Sequence, residues 1–183
     1  ATLAARAAGL GYAVPGAVAA VGVIALLSGT QALIDPAWRS LTGNVFPILL
    51  TSTGAALVLA YLSRFAAAAI SPAETALARV TASLDGAART LGATQRRRIW
   101  QIHWPLIAAG VTSAGLLVFV EVLKELPATM ILRPFNYDTL AIIAHNYASD
   151  ERLGEAALPS LLIPLVALLP MIFVARYLSR QDR

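Results

Sequence analysis

Four long stretches of the chain contain no charged residue, and they constrain the fold more than any other feature of the sequence. They contain 28, 24, 22 and 20 residues and lie between Arg6 and Asp35, Arg39 and Arg64, Arg98 and Glu121, and Glu155 and Arg176. A hydrocarbon core about 30 Å thick requires about 20 helical residues, and a helix pairs its own backbone polar groups within the segment. The stretches therefore predict an all-α, polytopic transmembrane helix bundle with spans near 11–33, 44–66, 104–122 and 156–177.

The composition supports a membrane protein. Of the 183 residues, 58% are hydrophobic and only 13% are charged, whereas soluble proteins contain about 25% charged residues. A net charge of +4 is compatible with binding to nucleic acid. The basic residues flank apolar segments, however, so we expect no nucleic-acid partner. The absence of cysteine excludes disulfides, zinc-thiolate sites and cysteine nucleophiles. We expect one transmembrane domain over residues 1–183.

The distribution of basic residues predicts the orientation. If the four spans alternate, ten of the 14 Lys and Arg residues fall on one side, which the positive-inside rule assigns to the cytoplasm. These ten are Arg6, Arg64, Arg79, Arg89, Arg96, Arg97, Arg98, Arg176, Arg180 and Arg183. Both ends of the segment are therefore predicted to be cytoplasmic. The chain opens at Ala1 without an initiator methionine, which indicates a piece of a longer protein.

The predicted cytoplasmic loop 67–103 contains the clearest local signals. The sequence Ser-Pro-Ala-Glu from Ser71 is a capping box with proline at the first helical position, and it predicts the start of a short helix. Ser83 predicts a second helix start. Gly92 stands where a left-handed C-terminal cap is expected, and Thr94 is predicted to cap the next helix.

The second helix of this loop is predicted to be amphipathic. Asp85 and Arg89 stand at i and i+4 as a possible ion pair, with Asp85 near the positive end of the helix dipole. One apolar stripe is formed by Leu84, Ala87, Ala88 and Leu91. A short helix with small residues can dock into a groove of a partner protein. Such helices also lie on the lipid surface or pack beneath a bundle, and the pattern alone leaves these alternatives open.

The loop is similar to the cytoplasmic signature of binding-protein-dependent (MetI-like) ABC importer permeases. That signature reads Glu-Ala-Ala, three residues, Gly, nine residues, Ile-x-Leu-Pro. The matching residues, at the same spacing, are Gly86-Ala87-Ala88, Gly92 and Ile102-His103-Trp104-Pro105. Gly86 replaces the glutamate and Trp104 the leucine. Gly86 removes a capping partner of Ser83 and costs about 1 kcal/mol relative to alanine within a helix.

The resemblance implies a coupling helix that sits in a cleft of a separate ABC ATPase subunit. Closure of two ATPases would then drive alternating access in the membrane helices. The coupling residues implied are Leu84, Asp85, Gly86, Ala87, Ala88, Arg89, Leu91 and Gly92. No phosphate-binding loop surrounds Lys124, the only lysine, so ATP and Mg would belong to the partner. We expect no catalytic residue and no cofactor in this chain, and a periplasmic or lipid-anchored substrate-binding protein outside the membrane.

A further resemblance, over nearly the whole chain, is to ferric-iron importer permeases that fuse two homologous halves. The matching segments are GYAVPG at 11–16, LKELPAT at 123–129, LRPFNYDTLA at 132–141, ERL at 151–153 and EAALP at 155–159. They correspond to the C-terminal half of such permeases. The resemblance implies ferric iron as cargo and the bacterial inner (plasma) membrane as location. Related permeases carry thiamine, phosphonates or other anions.

The remaining polar residues allow two interpretations each. Glu121, Lys124 and Glu125 stand at i, i+3 and i+4, either as a polar rim of the transport pathway or as a helix end among lipid headgroups. His103 and His145 are predicted on opposite sides, so we expect no metal site. The arginines at 96–98 either set the topology or contact an ATPase or anionic lipid.

Two rival functions remain for such a chain. An ion-gradient secondary transporter would require buried carboxylates near mid-membrane, and the uncharged stretches contain none. A membrane scaffold protein without transport activity would use the loop helix only as an interfacial anchor.

Overall fold

The computed structural model describes residues 9–46 and 50–181, with side chains through Arg176. The described residues are helical apart from short turns and links, which confirms the predicted all-α class. The elements are α1 (9–13), α2 (Gly16–Thr42), a 3₁₀ turn (Leu50–Ser52), α3 (Gly54–Leu77), α4 (Ala82–Thr90), α5 (Gln95–Arg98), a π turn (Ile99–His103), α6 (Trp104–Leu123), α7 (Pro127–Leu132), α8 (Leu140–Ser149) and α9 (Leu153–Gln181).

Among the described residues, four helices are long and apolar enough to cross a membrane. They are α2, α3, the continuous helix Gln95–Leu123 that joins α5 to α6, and α9, counted over Leu153–Arg176. Many large apolar side chains on these helices point outward; Phe173, for example, is 73% exposed. Such a surface suits contact with lipid rather than water. The chain is a multi-pass membrane protein.

The first two spans differ from their predicted bounds. The span predicted at 11–33 begins at Gly16, after Pro15, and continues through Pro36 to Thr42. The span predicted at 44–66 is Gly54–Leu77, because Arg64 lies inside the helix rather than at its end. The predicted bounds depend on charged residues, but a charged residue with a partner inside the bundle does not end a helix. Residues 47–49 of the predicted span lie outside the described residues.

The helix start predicted at Ser71 is wrong. Helix α3 runs through Pro72 without a break and ends at Leu77. Packing explains this result. Ala76 is 3% exposed, and a Cβ added to Gly110 of α6 would collide with the side chain of Ala76. The two helices therefore approach closely at small residues, as membrane helices do. Proline is tolerated within membrane helices because neighbouring groups can satisfy the freed backbone carbonyl.

The core lies among α2, α3 and α7. Its buried residues are Ala20, Val23, Ala56, Leu57, Ala60, Ala128 and Leu132. The most extensive helix contact is between α3 and α6, and α8 packs along α9. Most of these core residues are small, which permits close helix packing. Helix α4 lies in the link between the second and third spans.

Candidate functional site

Helix α4 corresponds to the predicted coupling helix. Its N-terminal cap is Thr81 rather than Ser83, because the Leu84 backbone N–H donates to Thr81 Oγ1 at 3.3 Å. The Ser83 hydroxyl instead bonds to Thr81 Oγ1 at 2.9 Å. The predicted left-handed Gly92 is confirmed by its φ of 76°. The predicted cap at Thr94 is also confirmed, with the Arg97 N–H donating to Thr94 Oγ1 at 3.4 Å.

Asp85 attaches α4 to the N-terminal part of the third spanning helix, Gln95–Leu123. Arg98 Nη1 lies 2.6 Å from each carboxylate oxygen of Asp85, and His103 Nε2 lies 3.2 Å from Oδ1. Arg89 Nη2 lies 3.0 Å from Oδ2, which confirms the predicted Asp85–Arg89 pair. We call these four residues the Asp85 cluster. Arg98 and His103 belong to the helix Gln95–Leu123, so α4 is joined directly to that membrane helix.

The Asp85 cluster favours the ionised carboxylate. Partial burial opposes ionisation, but the hydrogen bond and charge of Arg98, the charge of Arg89 and the contact with His103 outweigh it. Together they hold the pKa of Asp85 below its ordinary value of 3.8. Asp85 is therefore ionised at neutral pH. Arg98, whose side chain is 13% exposed, is the most enclosed of the three partners.

The predicted apolar stripe of α4 is divided between two surfaces. Ala88 is 6% exposed and Leu84 is partly buried, so both contact the rest of the chain. Gly86 and Ala87 are exposed, and Leu91 is 86% exposed at the end of the helix. We use the name docking surface for five exposed residues on one side of α4, namely Ser83, Gly86, Ala87, Thr90 and Leu91. It presents small side chains and one large apolar group, which is suited to close approach of a partner.

The structure separates the three residues proposed for the pathway. Helix α6 ends at Leu123, so Glu125 does not continue the helical face of Glu121. Lys124 Nζ pairs with Glu121 Oε1 at 2.7 Å. Glu121 also lines a cavity of about 290 Å³, together with Gly9, Tyr12, Ala67, Ala68 and Leu117. Whether these residues line a transport pathway stays a prediction.

Glu125 turns inward and pairs with Arg64 of α3. The two side chains are 8% and 15% exposed. The Ala128 backbone N–H donates to Glu125 Oε1 at 3.0 Å, and the hydroxyls of Tyr61 and Thr129 are hydrogen-bonded at 2.6 Å. We call these five residues the inner cluster. It ties α3 to the link between α6 and α7.

The inner cluster corrects the sidedness assigned to Arg64. The sequence predicts Arg64 on the cytoplasmic side and Glu125 on the outer side, yet the two are in contact. Arg64 is the eleventh of the 24 residues of α3, so it lies near the middle of a span. Without Arg64, nine basic residues remain against four, and the predicted orientation is unchanged. Arg6, Arg183 and the Arg180 side chain lie outside the described residues.

Gly16 closes the inner cluster from α2. A Cβ at this position would lie 2.5 Å from Glu125 Oε1, 3.0 Å from Arg64 Nη1 and 3.3 Å from the Ala128 nitrogen. Only a residue without a side chain leaves the ion pair undisturbed. No local pattern in the sequence indicates this contact, because the partners are distant along the chain.

Comparison with known proteins identifies transport permeases. The chain is 25% identical over 121 residues to Fe(3+)-transport system permease protein FbpB 2 of Haemophilus influenzae, covering 66% of this chain and 24% of that protein. It is 25% identical over 134 residues to the putative 2-aminoethylphosphonate transport system permease protein PhnV of Salmonella typhimurium, covering 73% of this chain and 51% of that protein.

No family model and no solved structure matches the chain. The chain spans about half of the length of PhnV and about a quarter of the length of FbpB 2. Their shared description supports the resemblance to ABC importer permeases, whereas their named substrates differ. The chain is similar to permease proteins of transport systems, and this similarity does not select ferric iron as cargo.

Proposed function

We propose that this chain is the membrane-spanning permease component of an ATP-driven ABC importer that works by alternating access. The observation that carries the proposal is the docking surface of α4, which stands exposed while the opposite side of the same helix is fixed to the third span through Asp85. A partner that moves α4 would therefore also move a membrane helix. Similarity to two transport-system permeases supports the same function.

The contacts provide a continuous route from α4 into the bundle. Asp85 transmits a displacement of α4 to Arg98 and His103 on the third-span helix. That helix packs on α3, most tightly where Gly110 meets Ala76. A docked ATPase subunit would bind ATP and Mg and perform all covalent chemistry. This chain would act only as the moving pathway, in the inner membrane with α4 in the cytoplasm.

The proposed cargo is ferric iron, delivered by a substrate-binding protein on the opposite side of the membrane. The extended sequence resemblance to ferric-iron permeases and the similarity to FbpB 2 favour this cargo. A second candidate is 2-aminoethylphosphonate, which the similarity to PhnV over 73% of the chain favours. Both cargoes fit the same mechanism, because alternating access does not depend on the chemistry of the cargo.

Reconstitution tests the proposal. The full-length protein, its ATPase subunit and its binding protein are placed in liposomes, and uptake of ferric iron and 2-aminoethylphosphonate is measured with and without internal ATP. We expect ATP-dependent uptake of one of them, with ferric iron favoured. Uptake driven by an ion gradient without ATP would contradict the proposal and support a secondary transporter. If neither cargo is transported under any condition while the ATPase is bound, an importer of these cargoes is excluded.

A further inference from the structure

One face of the helix Gln95–Leu123 carries arginines and tryptophans that the coupling mechanism does not use. Arg96, Trp100 and Trp104 follow one another at intervals of four residues, and Arg97 and Gln101 stand beside them at the same interval. Arg97 Nε donates to Gln101 Oε1 at 2.7 Å, which orients the guanidinium. The two indole rings are 6.2 Å apart and their residues are 62% and 47% exposed.

These side chains form an open cleft of about 370 Å³. Its lining is Thr94, Arg96, Arg97, Trp100 and Gln101, and none of these residues belongs to α4. Two guanidinium groups, a hydroxyl and an amide supply several hydrogen-bond donors and two fixed positive charges. Planar guanidinium groups match the oxygens of a phosphate group. The chemistry of the cleft therefore favours an anionic, phosphate-bearing ligand.

The position of the cleft favours a lipid over a soluble phosphate. Exposed tryptophans concentrate where a membrane helix leaves the hydrocarbon. Arg96 lies four residues before Trp100, about 6 Å farther from the hydrocarbon along the helix axis and at the expected level of the headgroups. The neighbouring Arg98 turns away to Asp85 and is 13% exposed, so the α4 attachment does not use the cleft.

We propose that this cleft binds the headgroup phosphate of an anionic phospholipid, with Arg96 and Arg97 as the ligating cations and Trp100 packed against the lipid. The site needs only that the chain spans a bilayer, and it does not require an ATPase partner. Each basic side chain near an anionic surface strengthens binding by about fivefold at low salt. A zwitterionic headgroup of the same size lacks this net attraction.

Native mass spectrometry of the full-length protein tests the site. The protein is titrated in detergent with phosphatidylglycerol and with phosphatidylcholine of identical acyl chains. We expect tighter binding of phosphatidylglycerol, and a loss of about fivefold for each arginine removed in Arg96→Gln/Arg97→Gln. As a matched control, Arg39→Gln/Arg79→Gln removes the same charge at exposed positions and should keep the preference. Inorganic phosphate at equal concentration should not compete.

Further outcomes decide the remaining alternatives. Arg96→Lys/Arg97→Lys should retain most of the preference, and added salt should weaken it in the unmodified protein; these measurements decide if the glutamine variant fails to fold. Equal binding of both lipids, or an equal loss in the control variant, would overturn the proposal. It would also be overturned if Arg96→Gln/Arg97→Gln lost the ATPase subunit but kept the lipid preference, because the arginines would then contact a protein.

Discussion

Two carboxylates, Glu125 and Asp85, each pair with an arginine from another helix, but in different surroundings. The Glu125–Arg64 pair lies in the bundle, with side chains that are 8% and 15% exposed. The Asp85 side chain is 23% exposed and lies outside the spans, with three basic partners instead of one. The same chemistry therefore stabilises the membrane-embedded bundle in one place and positions an exposed helix in the other.

This difference in surroundings predicts that one pair mainly affects the stability of the bundle and the other mainly affects the position of α4. Removing one partner of an enclosed pair leaves a charge that water cannot solvate, so the penalty falls on folding. Asp85 is more exposed than Glu125 and lies outside the spans, so its removal should cost less free energy of unfolding, although Arg98 is as enclosed as Arg64. The effect of removing Asp85 then falls mainly on the position of α4. Single substitutions at the two sites test this distinction between stability and helix position.

The largest effect is expected for Glu125→Gln. The amide keeps the shape and the acceptor for the Ala128 N–H, but it leaves Arg64 unneutralised. We expect a loss of about 3–5 kcal/mol in the free energy of unfolding, measured by chemical denaturation in detergent. Arg64→Met/Glu125→Gln removes both charges and should recover most of the loss. Wild-type stability of Glu125→Gln would show that the pair is not enclosed in the folded protein.

Gly16→Ala should destabilise the same cluster through steric contact. The new methyl group would lie 2.5 Å from Glu125 Oε1, so the ion pair has to shift. We expect a cost of about 1–3 kcal/mol in the same denaturation experiment. Gly22→Ala is the matched control on α2, because its Cβ would meet nothing within 4 Å and should not destabilise the protein. Equal effects of the two variants would contradict the assigned role of Gly16.

Thr81→Ala should weaken the start of α4 without affecting the inner cluster. It removes the acceptor for the Leu84 N–H, and loss of such a cap costs about 1 kcal/mol. Hydrogen exchange should therefore become faster in the first turn of α4 alone. Ser83→Ala is the control and should have the smaller effect. The reverse order would restore Ser83 as the cap, as the sequence predicts.

Asp85→Asn should have the smallest effect on unfolding and a selective effect on coupling. It removes the charge that holds Arg98 and His103, so we expect faster hydrogen exchange throughout α4, a smaller shift of the unfolding midpoint than for Glu125→Gln, and reduced ATP-dependent uptake. A large loss of global stability would contradict the distinction between the two carboxylates.

The pH dependence of the α4 attachment follows from the lowered pKa of Asp85. The carboxylate contributes stability above its ordinary pKa of 3.8, and this contribution is lost as the pH falls through the lower folded-state value. The contribution of Asp85 to the exchange protection of α4 should therefore be constant between about pH 5 and 8. It should be lost only below about pH 4, where the carboxylate becomes protonated. Loss of protection beginning near pH 6 would contradict a lowered pKa.

The sequence predicts what local signals and apolar length determine. The predicted spans 104–122 and 156–177 lie within longer helices, Gln95–Leu123 and Leu153–Gln181, because apolar length indicates a span but not where its helix ends. Gly92 and Thr94 are also predicted, since caps depend on a few adjacent residues. The assignment of α4 as a coupling helix depends on the resemblance and on the docking surface, and it stays a proposal.

Contacts between distant residues account for what the sequence does not predict. Arg64 and Glu125 are 61 positions apart, and nothing local indicates that Arg64 has a partner inside the bundle. The sequence therefore predicts a span that ends near Arg64. The capping box at Ser71 is a genuine helix-start signal, but the close packing of Ala76 on Gly110 keeps α3 continuous through it.

Docking of an ATPase through α4 is tested most directly by Leu91→Asp. Leu91 is 86% exposed, so the substitution should not affect folding. Leu153→Asp is the matched control: Leu153 is 70% exposed and begins α9, on the opposite side of the membrane because α7 and α8 are too short to cross. Affinity purification of the full-length protein should recover the ATPase subunit with Leu153→Asp. With Leu91→Asp, recovery should fall by at least about tenfold. Undiminished recovery of the ATPase with Leu91→Asp would show that this surface does not bind it.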